Sequence, residues 1–173
     1  LRKVFLSSLQ LSGCYGINRI GSVFAKGGVQ EEGMKVSVLL LLLSTLAFAF
    51  YHCFFDAGKR YGVDPYLLVA IASVESGFNL RAINRNKNGS VDYGIMQINS
   101  HWLKKYKIPT EWIWEPCYNI HFGAMVLKRC MEAKKGNVKL AIDCYNKGDK
   151  AKENSEYVLK VYKKHAKVLR MVE

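Results

Sequence analysis

Much that would mark a common enzyme class is missing from this chain. Its 173 residues hold no glycine-rich phosphate loop, no internal repeat and no low-complexity tract. A phosphate cradle, a repeat solenoid and a disordered linker are therefore excluded. No Ser/His/Asp set stands in a workable frame. The four histidines, His52, His101, His121 and His165, follow no metal-ligand spacing, and no CxxC pair occurs among the five cysteines. No metal centre is expected, and each histidine is assigned a structural role. Acidic residues are scarce, 14 against 26 lysines and arginines, for a formal charge of +12. That surplus fits an acidic polymer, an anionic membrane surface or nucleic acid, and composition does not choose among them.

What is present suffices for one folded domain. Half of the residues are hydrophobic, and the length allows a real core. The N-terminus is set aside first, because the chain starts at Leu1 and its first methionine is Met34. From there MKVSVLLLLLSTLAFA has a short basic start, five consecutive leucines and Ala47-Phe48-Ala49 as a small-x-small cleavage site, the pattern of a secretory signal. We read residues 1–33 as an upstream extension, 34–49 as a signal peptide and 50–173 as the working domain. The rival is an uncleaved anchor, since residues 36–55 contain no Lys, Arg, Asp or Glu and could span a bilayer. Ala-Phe-Ala favours cleavage and hence a periplasmic location, with membrane contact only through an uncleaved leader.

Removing residues 1–49 leaves 21 basic and 12 acidic residues and four cysteines. An even number of cysteines in an exported chain points to disulfides. Cys130 and Cys144 fall symmetrically about a turn near Gly136, so two antiparallel helices would bring them together. That leaves Cys53 to pair with Cys117. On the chain-entropy model the longer loop contributes about 4 kcal/mol and the shorter about 3.

Helical signals dominate the rest. Asp64-Pro65 supplies an N-cap and a first-turn proline for a helix over 66–76. Pro116 opens a long helix from Cys117 to about Lys134, ended by Gly136. Asn137 caps a shorter one over 138–145, and residues 156–171 form an amphipathic surface helix with Val158, Val161, Tyr162, Val168 and Leu169 on one side. Residues 77–93, GFNLRAINRNKNGSVDY, hold four asparagines and a turn at Asn88-Gly89. They predict a loop or short β-hairpin.

One acid stands out. The apolar run LLVAIASV ends in Glu75, followed by Ser76 and Gly77. On a helix its neighbours one turn back are Ile71 and Ala72. A desolvated carboxyl there has a raised pKa and stays protonated near neutral pH, ready to hand a proton to a leaving oxygen. A carboxylate at a helix C-terminus also opposes the macrodipole, so the placement has a cost. Downstream, Gly94-Ile95-Met96-Gln97-Ile98-Asn99 sets side-chain amides in an apolar frame, and Cys144-Tyr145-Asn146-Lys147-Gly148 puts an aromatic hydroxyl beside an amide.

In that order, these elements resemble the lytic transglycosylases of the soluble, Slt-type lysozyme-like family. The likeness is closest to the small members that accompany secretion systems, conjugation machinery and pili. It runs from about Cys53 to His165. It rests on Tyr61-Gly62-Val63-Asp64, Glu75-Ser76-Gly77-Phe78, the stretch from Asn88 to Asn99, Glu115-Pro116-Cys117 and Tyr145-Asn146-Lys147-Gly148.

The resemblance implies a mainly α, lysozyme-like α+β fold, with a short hairpin region lining a glycan cleft. It implies no cofactor, and Glu75 as the single catalytic acid. That acid would protonate the β-1,4 glycosidic oxygen between N-acetylmuramic acid and N-acetylglucosamine. It would then act as base while the muramic C6 hydroxyl attacks, giving a 1,6-anhydro product. Ser76, Met96, Gln97 and Asn99 would shape the cleft and meet sugar groups, although core packing is favoured for Met96 and helix capping competes equally for Ser76. Tyr145 would orient Glu75, and Asn146 would hold the N-acetyl group or nearby backbone. Two positions depart from the family pattern: Cys144 stands where alanine is usual, and Lys147 where a small residue is usual. Asp92 lies 17 residues after Glu75, the interval between acid and nucleophile in lysozyme. It is a secondary candidate for retaining hydrolysis, with bracing of the loop as the alternative. The implied partners are peptidoglycan glycan strands and a secretion, conjugation or pilus assembly, not nucleic acid. A hydrolase using Glu75 and Asp92, or a non-catalytic glycan-binding assembly protein, are the competing readings.

Overall fold

The central helix starts where Asp64 and Pro65 place it. The Asp64 side chain accepts from the Tyr66 N–H at 2.9 Å, and proline occupies the first turn, where its missing N–H costs nothing. A computed structural model describes residues 50–172, and every structural statement below concerns those residues. The extension and signal peptide expected over 1–49 lie outside them.

Six helices and one small sheet follow in chain order. They are α1 (Tyr51–Tyr61), α2 (Pro65–Glu75), β1 (Ile83–Arg85), β2 (Val91–Tyr93), β3 (Ile98–Asn99), α3 (Ser100–Tyr106), α4 (Pro116–Ala133), α5 (Val138–Lys147) and α6 (Glu156–Leu169). Short 3-10 turns precede α4 (Trp112–Trp114) and follow α5 (Gly148–Lys150). The expected mainly helical fold is present.

Helix α2 runs through the middle of the core. Leu68, Ala70, Ile71 and Ala72 are fully buried on it, and α1, α4 and α6 pack around it. A helix apolar on all sides must be enclosed, since one exposed face would leave large side chains in water. His165 of α6 meets the Asp64 carboxylate at 2.7 Å, joining the last helix to the cap of the central one. Both expected disulfides form. Cys53–Cys117 ties α1 to the start of α4, and Cys130–Cys144 ties α4 to α5 across the turn at Gly136. Cys53, Cys117 and His52 lie within ligand distance of one another, but the disulfide consumes both thiolates a metal would need.

The helix boundaries move by one or two residues from those expected. Two helices were not expected at all. α1 adjoins the long apolar run of the N-terminal sequence, whose continuous hydrophobicity hid the 3.6-residue period. α3 has only seven residues, too few for a clear period. It starts on Asn99, whose side chain accepts from the His101 N–H at 2.9 Å. The hairpin over 77–93 is present and gains a third strand, giving an antiparallel sheet of order β1-β2-β3. Its register sets Asn84 opposite Asp92 and Asp92 opposite Asn99.

Candidate active site

Glu75 is the last residue of α2, and the helix ends there for a local reason. Ser76 is the C-cap, and Gly77 and Phe78 both take positive φ (60° and 68°), which turns the chain away at once. The Ser76 hydroxyl donates to the Ile95 carbonyl at 2.8 Å and reaches the Ala72 carbonyl at 3.4 Å. It clamps the end of α2 to the segment that follows β2. Its capping role and its place in the cleft wall coexist.

The carboxyl of Glu75 is half-buried at the edge of a cleft of about 1720 Å³. Burial raises its pKa from 4.5 to about 7, the nearby Asp92 charge adds to the rise, and a hydrogen bond from Tyr157 opposes it. The Tyr157 hydroxyl donates to Glu75 Oε1 at 2.5 Å. One carboxyl oxygen is thereby pinned, and the other is left to carry and release a proton. Burial and the Glu75 charge push the Tyr157 phenol far above its usual range, so it remains a donor.

Tyr157 was not among the residues expected at the site. The sequence shows only that Tyr157, four residues before Val161, shares the core-facing stripe of α6. Tyr145 was expected to orient Glu75. Instead its hydroxyl donates to the Met96 carbonyl at 2.7 Å. Burial and the charges of Glu75 and Asp92 raise the Tyr145 pKa well above normal. It braces the cleft floor beside Glu75, and the orienting bond comes from α6.

Met96 takes the favoured core-packing reading and leaves the set of sugar-contact residues. It is fully buried and does not line the cleft. A Cβ on Gly123 would come within 2.8 Å of Met96 Cε, so that glycine in α4 makes the room Met96 fills. Its backbone does the positioning, accepting from Tyr145 and donating to buried Asn119 Oδ1 at 2.8 Å. Asn119 also donates to the Tyr93 and Ile113 carbonyls, so one side chain holds three stretches of backbone. Gly94 has φ 73°, and a Cβ there would approach Asn119 Nδ2 to 2.4 Å. The glycine of the Gly-x-Met-Gln element is needed for that close approach.

Gln97, Asn99 and Asn146 all line the cleft. Gln97 sits at φ 50°, and its amide nitrogen donates to the Gly94 and Ala82 carbonyls at 2.9 and 3.3 Å. Its carbonyl oxygen is the part left for a ligand. Asn99 is spent on structure as well, donating to Asp92 Oδ1 at 2.6 Å and to Ser90. Asn146 is exposed, beside Glu75 and Tyr157 in a smaller adjoining pocket, and among the described residues no protein group bonds its side chain. Lys147 bridges the buried Asp143 at 3.4 Å. Asp143 also accepts from Ser155, the N-cap of α6, and from the Lys152 N–H, fixing the start of the helix that carries Tyr157.

Asp92 faces the same cleft from β2. Asn84 and Asn86 donate to its Oδ2 at 3.1 and 2.8 Å, and Asn99 to its Oδ1. The register explains the convergence, because Asn84, Asp92 and Asn99 sit directly across from one another. The asparagine-rich hairpin is a set of amide donors closing on one carboxylate.

The sequence that builds this cleft matches a known family. The model of the transglycosylase SLT domain matches residues 52–167. The chain belongs to the transglycosylase SLT domain family. It is accordingly an enzyme of the peptidoglycan lytic transglycosylase class. Protein IpgF of Shigella flexneri is 37% identical over 140 residues, covering 77% of this chain and 90% of that protein. Invasion protein IagB of Salmonella typhi is 30% identical over 78% of this chain and 88% of its own length. A shorter stretch of 52 residues, 27% of this chain, is 54% identical to lysozyme C of Ortalis vetula and covers 40% of it. The fold of this SLT domain is shared with the lytic transglycosylase Slt of Pseudomonas aeruginosa, solved as an inactive mutant. The TM-score is 0.56 at 22% identity, over 70% of this chain and 24% of that one.

Proposed function

We propose that this transglycosylase cleaves the β-1,4 bond between N-acetylmuramic acid and N-acetylglucosamine in the periplasm and releases 1,6-anhydromuramyl ends. The observation that carries the reading is Glu75, poised at about pKa 7 on a cleft edge and pinned by Tyr157. A group with that pKa is protonated often enough to act as acid and ionises easily enough to act next as base. In the first step Glu75 gives its proton to the glycosidic oxygen as the C1–O bond breaks. The resulting carboxylate then takes the proton of the muramic C6 hydroxyl while that oxygen bonds to C1. Glu75 ends as it began, and no water is consumed.

Asn146 is the group free to hold the N-acetyl oxygen, and the Gln97 carbonyl the one free to accept from a sugar hydroxyl. Asp92 supplies negative charge facing the electron-poor anomeric carbon. The lysozyme C likeness keeps a second reading in play, retaining hydrolysis with Asp92 as nucleophile. Three amide donors fix Asp92 in place under either reading, and the end groups released from the glycan separate the two.

A non-catalytic binding role gives no reason for a carboxyl kept at this costly pKa. The wall-opening step would serve a secretion, conjugation or pilus assembly. The likeness to invasion protein IagB supports that part of the reading. The direct test is Glu75→Gln in a peptidoglycan zymogram with folding checked by circular dichroism. A folded variant that clears no wall is expected, and a folded variant that clears like the parent refutes the assignment.

A further inference from the structure

We propose that Asp143 is a positioning residue for Glu75: from α5 it fixes the first turn of α6, so that Tyr157 reaches the acid and stays on it. This deepens the reading of Glu75 as the catalytic acid and rests on it.

No step of the reaction uses Asp143, yet among the described residues it is the only acidic side chain that is fully buried. A carboxylate out of water is costly unless it is paired and hydrogen-bonded. Here both oxygens are engaged. Oδ1 accepts from Ser155 Oγ at 2.5 Å and lies 3.4 Å from Lys147 Nζ, and Oδ2 accepts from the Lys152 N–H at 2.7 Å. Burial favours the neutral form, but those donors outweigh it and hold the carboxyl below its usual range. The ionised group accepts on both sides and carries no proton of its own to disturb either bond.

Its partners lie on the segment that leads from α5 into α6. Ser155 is the N-cap of α6, and its Oγ accepts from the Val158 N–H at 3.2 Å while donating to Asp143. One hydroxyl thus joins the first turn of α6 to α5. Tyr157 stands in that turn, two residues on. The anchor is itself held, because Cys144 beside Asp143 is bonded to Cys130 of α4. A bond as short as that from Tyr157 to Glu75, at 2.5 Å, tolerates little displacement of the helix that carries it. The Asp143 charge reaches Tyr157 only weakly, ranking behind burial, Glu75 and Tyr145 among the influences on that phenol. Its effect on the acid therefore runs through position.

The groups facing Glu75 are Tyr157 of α6, Tyr145 of α5 and Asp92 of β2, with Lys147, Glu156 and Lys160 in the adjoining pocket. Ser155→Ala alters none of them and no charge, so a change in the Glu75 titration in that variant reports the Tyr157 contact. The test follows the ¹³C-labelled side-chain carboxyl of Glu75 by NMR through a pH titration, with disulfides intact, beside turnover of purified sacculi. Ser155→Ala should raise the Glu75 midpoint by about one unit from about 7. It should lower kcat about tenfold with KM little changed. Ser155→Thr keeps the hydroxyl and should restore both. Asp143→Asn should shift the midpoint in the same direction, and where it fails to fold the Ser155 pair carries the test. Adding Ser155→Ala to Tyr157→Phe should move the midpoint no further.

A folded Ser155→Ala protein with an unmoved midpoint overturns the proposal even if it denatures earlier, because a lost helix cap alone explains lost stability. A full further shift in the Tyr157→Phe background overturns it as well. Failure of the catalytic reading is distinct: Glu75→Gln would then clear wall like the parent, while the Glu75 midpoint still moved with Ser155→Ala.

Discussion

Replacing Glu75 with glutamine should make the protein more stable, and only at neutral to alkaline pH. The folded state raises the carboxyl from 4.5 to about 7, so folding favours the protonated form and penalises the charged one. Below the unfolded value both states are protonated and the penalty is absent. It grows as pH rises from 4.5 and is complete once pH exceeds the folded value. A shift of about 2.5 units, at about 1.4 kcal/mol per unit, makes the full penalty about 3 kcal/mol. Glutamine keeps the oxygen that accepts from Tyr157 and removes the charge. Urea denaturation of both proteins, with disulfides intact, should therefore give nearly equal stabilities near about pH 4. Near about pH 8.5 the variant should be ahead by about 3 kcal/mol. Other groups titrate alike in both proteins and cancel in the difference. An advantage that is the same at both pH values, or absent at both, would show that the fold does not perturb this carboxyl.

Three further outcomes follow from the same contacts. Tyr157→Phe removes the hydrogen bond that lowers the Glu75 pKa, so the alkaline limb of kcat/KM should move upward from about 7. Looser positioning should cost on the order of tenfold to a hundredfold in rate; pH–rate profiles of both proteins check this, and an unmoved limb contradicts it. Asn119→Ala removes the side-chain partner of two buried backbone groups and one half-buried one and should lower stability by about 3 kcal/mol, measured by the denaturant midpoint. Replacing Cys130 and Cys144 with alanine should cost about 3 kcal/mol, and removing Cys53–Cys117, which closes the longer loop, about 4. Paired denaturation curves would show whether that order holds.

Much of this site is written locally in the chain. Asp64-Pro65 announces the helix, its apolar run announces burial, and Glu75 at its end announces a perturbed acid. The two disulfides could be paired from spacing because a single turn separates Cys130 from Cys144. What stayed hidden depends on contacts distant in sequence. Tyr157 lies 82 residues from Glu75, and nothing near it says which group it will meet. Tyr145 was matched to the right cleft but the wrong partner, since a side-chain hydroxyl can choose a backbone carbonyl as readily as a carboxyl. Asn84, Asn86 and Asn99 look like turn formers one at a time. Only the strand register turns them into a cage for Asp92. Met96 was a question of which way a side chain faces, and the space left by Gly123 on another helix decides it.

The central claim is the fate of the anomeric carbon once Glu75 has given up its proton. Mass spectrometry of the muropeptides released from purified sacculi by the purified protein reads that fate directly. The account predicts 1,6-anhydromuramyl ends, lighter by one water than the hydrolysed products. Reducing muramic acid ends would contradict it and make Asp92 the nucleophile of a hydrolase.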